Sequence, residues 1–266
     1  MEGVNRNRLR WGAIAWLLTL QFFVVEAIAQ SRFAGAYSRT DDVISDLGTA
    51  ESAARELMNA SFVVQGALIV AGALLLRPLL LRSAGQFAPV LLGAAGIGVL
   101  MVGVFPSDGG AGLHATGAVL YLVGGGLGLI ALAYALRPRS EALGTTLALL
   151  GLIGTAATVF FLAGVTSFLG EGGMERAAAY VLPLGLALTG AVLWRLGPDR
   201  GEGLSRREER ERAGARRAEQ ERRRDEALEA AARQSAAGRT AAPGGVDDVH
   251  PDDDDPWAAP ARLRAD

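Results

Sequence analysis

Apolar residues in the first three quarters of the chain alternate with polar ones neither every second position nor along a single helical stripe; they form long unbroken runs. Six stand out: Trp11–Ala29, Leu57–Leu76, Phe87–Phe105, Leu113–Leu136, Leu143–Val165 and Ala177–Leu196. Each is nearly free of charge and matches the roughly 20 helical residues needed to cross a hydrocarbon core of about 30 Å. A backbone in lipid must satisfy its own hydrogen bonds, and no ten-residue alternating strands announce a barrel, so helices remain. The pattern predicts an all-α membrane protein, a six-helix transmembrane bundle of three hairpins over residues 1–198. Prolines at 78, 138 and 198 recur at the ends of the second, fourth and sixth runs. Such spacing fits three related hairpins, and it also fits ordinary punctuation after helix ends.

Beyond residue 198 the pattern changes. Residues 199–237 are rich in Arg, Glu and Ala, with opposite charges one turn apart at Arg207/Glu211, Glu208/Arg212 and Glu219/Arg223. A solvated charged helix is expected; no sustained Leu or Ile seam marks a coiled coil. Residues 238–266, with Ala241-Ala242-Pro243-Gly244-Gly245 and Asp252–Asp255, bury too little apolar surface to order themselves and are expected to be a disordered acidic tail.

Composition adds orientation. Half of the 266 residues are hydrophobic and the net charge is -2, but the charges are segregated. Arg6, Arg8 and Arg10 precede the first run, Arg77 and Arg82 follow the second, Arg137 and Arg139 the fourth, and Arg195 and Arg200 the sixth. Asp41, Asp42, Asp46, Glu51, Asp108, Glu171 and Glu175 dominate the opposite loops. By the positive-inside rule both termini are cytoplasmic. All 26 basic residues are Arg, a mark of GC-rich coding that points to a bacterial plasma membrane. Cysteine is absent, which excludes disulfides, thiolate nucleophiles and Cys-held metals. Ala27-Ile28-Ala29 imitates a signal-peptide cleavage site, yet the preceding run exceeds the usual 7–15 apolar residues and carries Glu26, so retention as a span is expected.

Six polar residues fall at the acidic ends of the runs: Glu26, Ser45, Asp46, Asn59, Asp108 and His114. An ionisable group near the apolar layer marks a site unless it is paired, and for Glu26 the alternative is a pair with Arg32 or Arg55. Asp46 and Asp108 also suit turn and capping roles, and His114, the one His outside the tail, an interfacial role. Together the six form a candidate site for a lipid headgroup, small solute or cation. A second reading is a membrane hydrolase using carboxylates and His114; a third is an anchor whose tail recruits a cytoplasmic partner. No metal set and no cofactor is specified. Glycines at 124–126 and 128 lie inside a span, where they suit helix packing rather than phosphate binding. The Arg-rich tail is a candidate contact for anionic lipid, opposed by its own glutamates, and it lacks the aromatics and bare basic face of a nucleic-acid binder.

Three stretches carry a family likeness: Ile44-Ser45-Asp46-Leu47-Gly48; Leu57-Met58-Asn59-Ala60; and Gly103-Val104-Phe105-Pro106-Ser107-Asp108 followed by Leu113-His114-Ala115-Thr116-Gly117-Ala118. In these the chain resembles the bacterial membrane proteins grouped as domain of unknown function 998, over roughly residues 9–198. The resemblance implies a six-helix bundle with an extracytoplasmic polar patch. It implies no reaction, and the charged tail is an addition to the family core.

Overall fold

The computed structural model describes residues 6–80, 86–196 and 199–240. Six segments are long and apolar enough to cross a membrane: Arg6–Gln30, Arg55–Leu80, Phe87–Val104, Ala111–Leu136, Glu141–Leu162 and Glu171–Leu196. They agree with the six runs of the sequence. The first span is divided into α1 (Arg6–Leu18) and α2 (Gln21–Gln30); α3 (Arg55–Leu76) and the short 3-10 turn Arg77–Leu80 make the second. The next three are α4 (Phe87–Val104), α5 (Ala111–Leu136) and α6 (Glu141–Leu162), and the last is divided into α7 (Glu171–Ala179) and α8 (Val181–Leu196). Among the described residues the only β pairing is an isolated bridge between Phe33 and Ser52.

Consecutive spans pack side by side, and α8 returns to pack on α1, so the bundle closes into a ring. Small residues let the helices approach. A Cβ at Gly98 would collide with the Gly117 carbonyl and a Cβ at Gly66 with that of Gly96, the close backbone contact that substitutes in lipid for a hydrophobic drive. Trp16 is fully buried against Gly72, and its indole N–H donates to the Ile69 carbonyl at 3.4 Å. Large apolar side chains on α6, among them Leu149, Leu152, Ile153 and Val159, are more than half exposed. A surface of that kind is stable against acyl chains and a liability in water.

The two divided spans meet at their breaks. Around Thr19 the hydrogen bonds shorten to i→i−3, with Leu20 donating to Leu17. The Thr19 hydroxyl donates to Trp16 O at 2.6 Å and to Pro183 O at 3.2 Å. Pro183 has no N–H to give the carbonyl four residues earlier. That carbonyl, Ala179, accepts the Tyr121 hydroxyl at 3.1 Å instead. The second break is thus satisfied by a side chain from a neighbouring helix and the first by the hydroxyl of Thr19 itself, as the membrane interior requires.

Residues from Arg207 onward form a separate compact unit. The last helix, α9, runs Asp199–Thr240. Its described side chains are exposed, with ion pairs one turn apart at Glu219–Arg223 (2.7 Å) and Glu229–Arg233 (2.9 Å). A solvated charged helix was the expectation, and the helix extends beyond residue 237. Residues 241–266, which hold most of the acidic tail, lie outside the described residues.

Candidate functional site

The bundle has an arginine end and a loop end. At the arginine end, Arg8 donates to Leu74 O and Arg139 to Leu79 O, tying the start of the first span and the turn after the fourth to the end of the second. At the loop end, residues 31–54 fold over the helices as a strap. Its base is closed by Ala34 donating to Glu51 O (2.8 Å) and Ala53 to Arg32 O (3.1 Å). Its middle is a 3-10 turn, Ile44–Gly48, with Ile44 and Leu47 buried.

The six sequence candidates are all at this end, in different settings. Asn59 and Asp108 brace the strap. The Asn59 amide donates to Gly48 O at 2.9 Å, and the Asp108 carboxylate accepts the Ala50 N–H at 3.0 Å. Asp46 is half-buried on the 3-10 turn; desolvation, followed by the nearby Asp42 charge, raises its carboxyl above the usual range. Ser45 and His114 line a cavity below the strap. Nδ1 of His114 lies 3.0 Å from the Phe105 carbonyl. A carbonyl only accepts, so Nδ1 carries a proton and donates it to this bond.

Glu26 belongs to neither group. Its carboxylate is 1% exposed and pairs with Arg176, 6% exposed, at 3.1 Å. It also accepts from Gln30 at 3.0 Å and from the Tyr180 hydroxyl at 2.6 Å, with Arg39 at 3.8 Å. The expected partners were Arg32 or Arg55. Arg55 instead pairs with Glu56 in solvent at 3.2 Å, and ring closure brings the sixth span against the first. Arg176 is equally saturated. Nε serves Glu26, Nη1 donates to the Arg39, Asp42 and Gly172 carbonyls at 2.8–3.1 Å, and Nη2 donates to the Tyr37 hydroxyl at 2.5 Å. Tyr37 passes the chain on by donating to Val43 O at 2.9 Å. Burial, opposed by the Arg176 charge, pushes its phenol up to about 12, so it stays a neutral donor. Arg176 therefore pins the strap by its backbone. Two glycines permit the contact: Gly170 holds φ 76° against Thr40, and a Cβ at Gly172 would strike the Asp42 carbonyl.

The sequence reading did not single out Glu175, the residue beside Arg176. One of its oxygens accepts the Ile44 N–H; the other has no hydrogen-bond partner among the described residues. Glu175 lines the same cavity as Ser45 and His114, whose remaining wall is largely apolar and aromatic, including Phe22, Phe62 and Tyr121. The cavity measures about 30 Å³, room for a water molecule or an ion of that size. Among the described residues no group of three or more His, Cys, Asp or Glu could hold a metal ion. The available signal was the juxtaposition Glu175-Arg176 at the start of an otherwise apolar run, where two charges are costly unless each has a task.

A ring of six membrane-spanning helices, strapped at one end over a carboxylate-bearing cavity, is the class of protein these features define. The chain belongs to the family described as "Protein of unknown function (DUF998)", whose model matches residues 16–194. No curated protein and no solved structure matches it.

Proposed function

We propose that the strapped end faces the outside of a bacterial plasma membrane and that the cavity beneath it binds a small cation. The observation that carries this reading is the half-satisfied Glu175 carboxylate facing aromatic walls. A carboxylate supplies charge, and Phe22, Phe62 and Tyr121 in the lining supply aromatic rings, whose π systems attract cations. The volume favours a monatomic or ammonium-sized species over a lipid headgroup. Ser45 and His114 on the same wall keep a hydrolase reading in view. No hydrogen bond joins them, so the binder is preferred. The third reading, an anchor for a partner of the tail, gains no support from the bundle.

The orientation follows from the arginine distribution. With no native cysteine, a single Cys at exposed Gly112 or Ala36 should react with a membrane-impermeant maleimide in intact cells; protection of both inverts the topology.

Binding is tested by thermal unfolding of the full chain in nanodiscs, in sodium, potassium or ammonium chloride against bulky N-methylglucamine chloride. A cation at ten times its Kd stabilises the folded state by about 1.4 kcal/mol, a rise of a few degrees. Glu175→Gln keeps an acceptor for the Ile44 N–H and should abolish the rise. Equal responses in wild type and Glu175→Gln, or none in either, reject the cation reading.

A further inference from the structure

A second feature lies at the arginine end, between α5 and α6. The two helices diverge there around a groove of about 300 Å³, some ten times the volume of the cavity under the strap (about 30 Å³). Its floor is apolar, with Ala133, Ala148 and Leu152, and its mouth carries Tyr134, Arg137 and Thr145. Those three polar groups differ from their counterparts elsewhere in the bundle. Thr19, Thr116, Thr146, Thr155, Thr158 and Thr189 each return their hydroxyl to a carbonyl of their own helix. That is the ordinary way to hide a hydroxyl in lipid. Thr145 is the one span threonine that makes no such bond among the described residues. Likewise Tyr37, Tyr121 and Tyr180 all donate to protein acceptors, whereas Tyr134, 64% exposed, has no hydrogen-bond partner among the described residues.

Arg137 completes the set. Gly144 leaves room for its aliphatic stem to lie flat on α6; a Cβ there would meet the Arg137 Cβ at 2.8 Å. Its Nη2 is 3.5 Å from Glu141, an exposed contact on the rim, and its other N–H groups have no side-chain or backbone acceptor among the described residues.

We propose that this groove is a binding site for a membrane phospholipid, with the lipid phosphate held by Arg137, Tyr134 and Thr145 and one acyl chain lying on the Ala133–Ala148–Leu152 floor. Three donor side chains line this one groove, and donors of that kind match the acceptor oxygens of a phosphodiester. The groove opens on the apolar exposed side of α6, where acyl chains are the solvent. It lies at the end of the bundle that gathers Arg8, Arg77, Arg139 and Arg195, the end where basic residues attract anionic headgroups. The site is independent of the Glu175 cavity and of the tail.

The test is native mass spectrometry of the full chain released from nanodiscs of equal phosphatidylglycerol and phosphatidylcholine. Wild type should retain one phospholipid at activation energies that strip bulk lipid. The triple change Tyr134→Phe, Arg137→Gln, Thr145→Val, which removes both hydroxyls and the guanidinium, should lower the retained fraction at least fivefold. Ala148→Phe, which fills the floor and leaves all three donors, should do the same; Ala148→Leu replaces it if that variant does not fold. Inorganic phosphate at millimolar concentration should not displace the lipid. Retention by the triple variant equal to that of wild type overturns the proposal. Displacement by inorganic phosphate also overturns it, since the site would then recognise a free anion.

Discussion

Glu26 and Glu175 both sit at the loop end of the same bundle, and both are withdrawn from bulk water. Glu26 is surrounded by donors from Arg176, Tyr180 and Gln30. Glu175 has one backbone N–H and an open side facing a cavity. Arg176, the partner of Glu26, directly follows Glu175 on one helix, and a step along a helix turns the side chain through about 100°. The same turn of α7 therefore holds a saturated charge on one face and an unsaturated one on the next. The saturated carboxylate serves assembly: every acceptor it offers is taken, and no ligand can enter without breaking the fold. The unsaturated one retains binding capacity.

The comparison is tested most severely at Arg176. Arg176→Met should strand a buried carboxylate, at a cost of about 3–5 kcal/mol, and thermal unfolding in nanodiscs should show a collapse in stability or yield. Pairing it with Glu26→Gln should recover much of that loss. A single variant as stable as wild type would show that the network is not structural. Next comes Glu175→Gln without cation, which should sit within about 0.5 kcal/mol of wild type, as changes outside saturated networks do; a loss on the Arg176 scale would erase the distinction between the two carboxylates. Asn59→Ala removes one hydrogen bond to the strap at Gly48 and should cost about 1 kcal/mol, with faster amide exchange across residues 44–50 as the local sign.

The smallest effect concerns Asp46. Its folded carboxyl is raised above the unfolded value, by desolvation first and by Asp42 second. The folded state therefore holds that proton more tightly. The contribution to stability is complete below the ordinary carboxylate pKa, about 3.9, and is lost as pH rises through the folded value. Asp46→Asn should flatten the melting temperature against pH just above that point and change little at pH 3. An unchanged slope would mean that Asp46 is better hydrated than its setting indicates.

The six spans could be read from hydrophobic run length because membrane insertion is itself a one-dimensional test of the chain. The strap was legible in part. Asn59, Asp108 and His114 were recognised as polar residues at span ends, but their bonds to Gly48, Ala50 and Phe105 show that they hold loops and helix ends in place. The partner of Glu26 was not legible. Choosing Arg32 or Arg55 assumes that neighbours in sequence are neighbours in space, and the closure of span six onto span one breaks that assumption. The breaks at Thr19 and Tyr180 were hidden for a related reason. Nothing near Thr19 disrupts a helix, and the contact that accommodates its break comes from Pro183, 164 residues away.

That closure also sets a timetable. Glu26 is synthesised 150 residues before the arginine that neutralises it. At about 5–20 residues per second of translation, the first span waits on the order of 10–30 s for its partner. Through that interval a carboxylate without its partner is costly inside the apolar layer. The final span, whose mean hydropathy of 1.7 is the lowest of the six, enters last as the piece that ends the wait. Closure of the bundle thus waits on its last span, the one that carries Arg176.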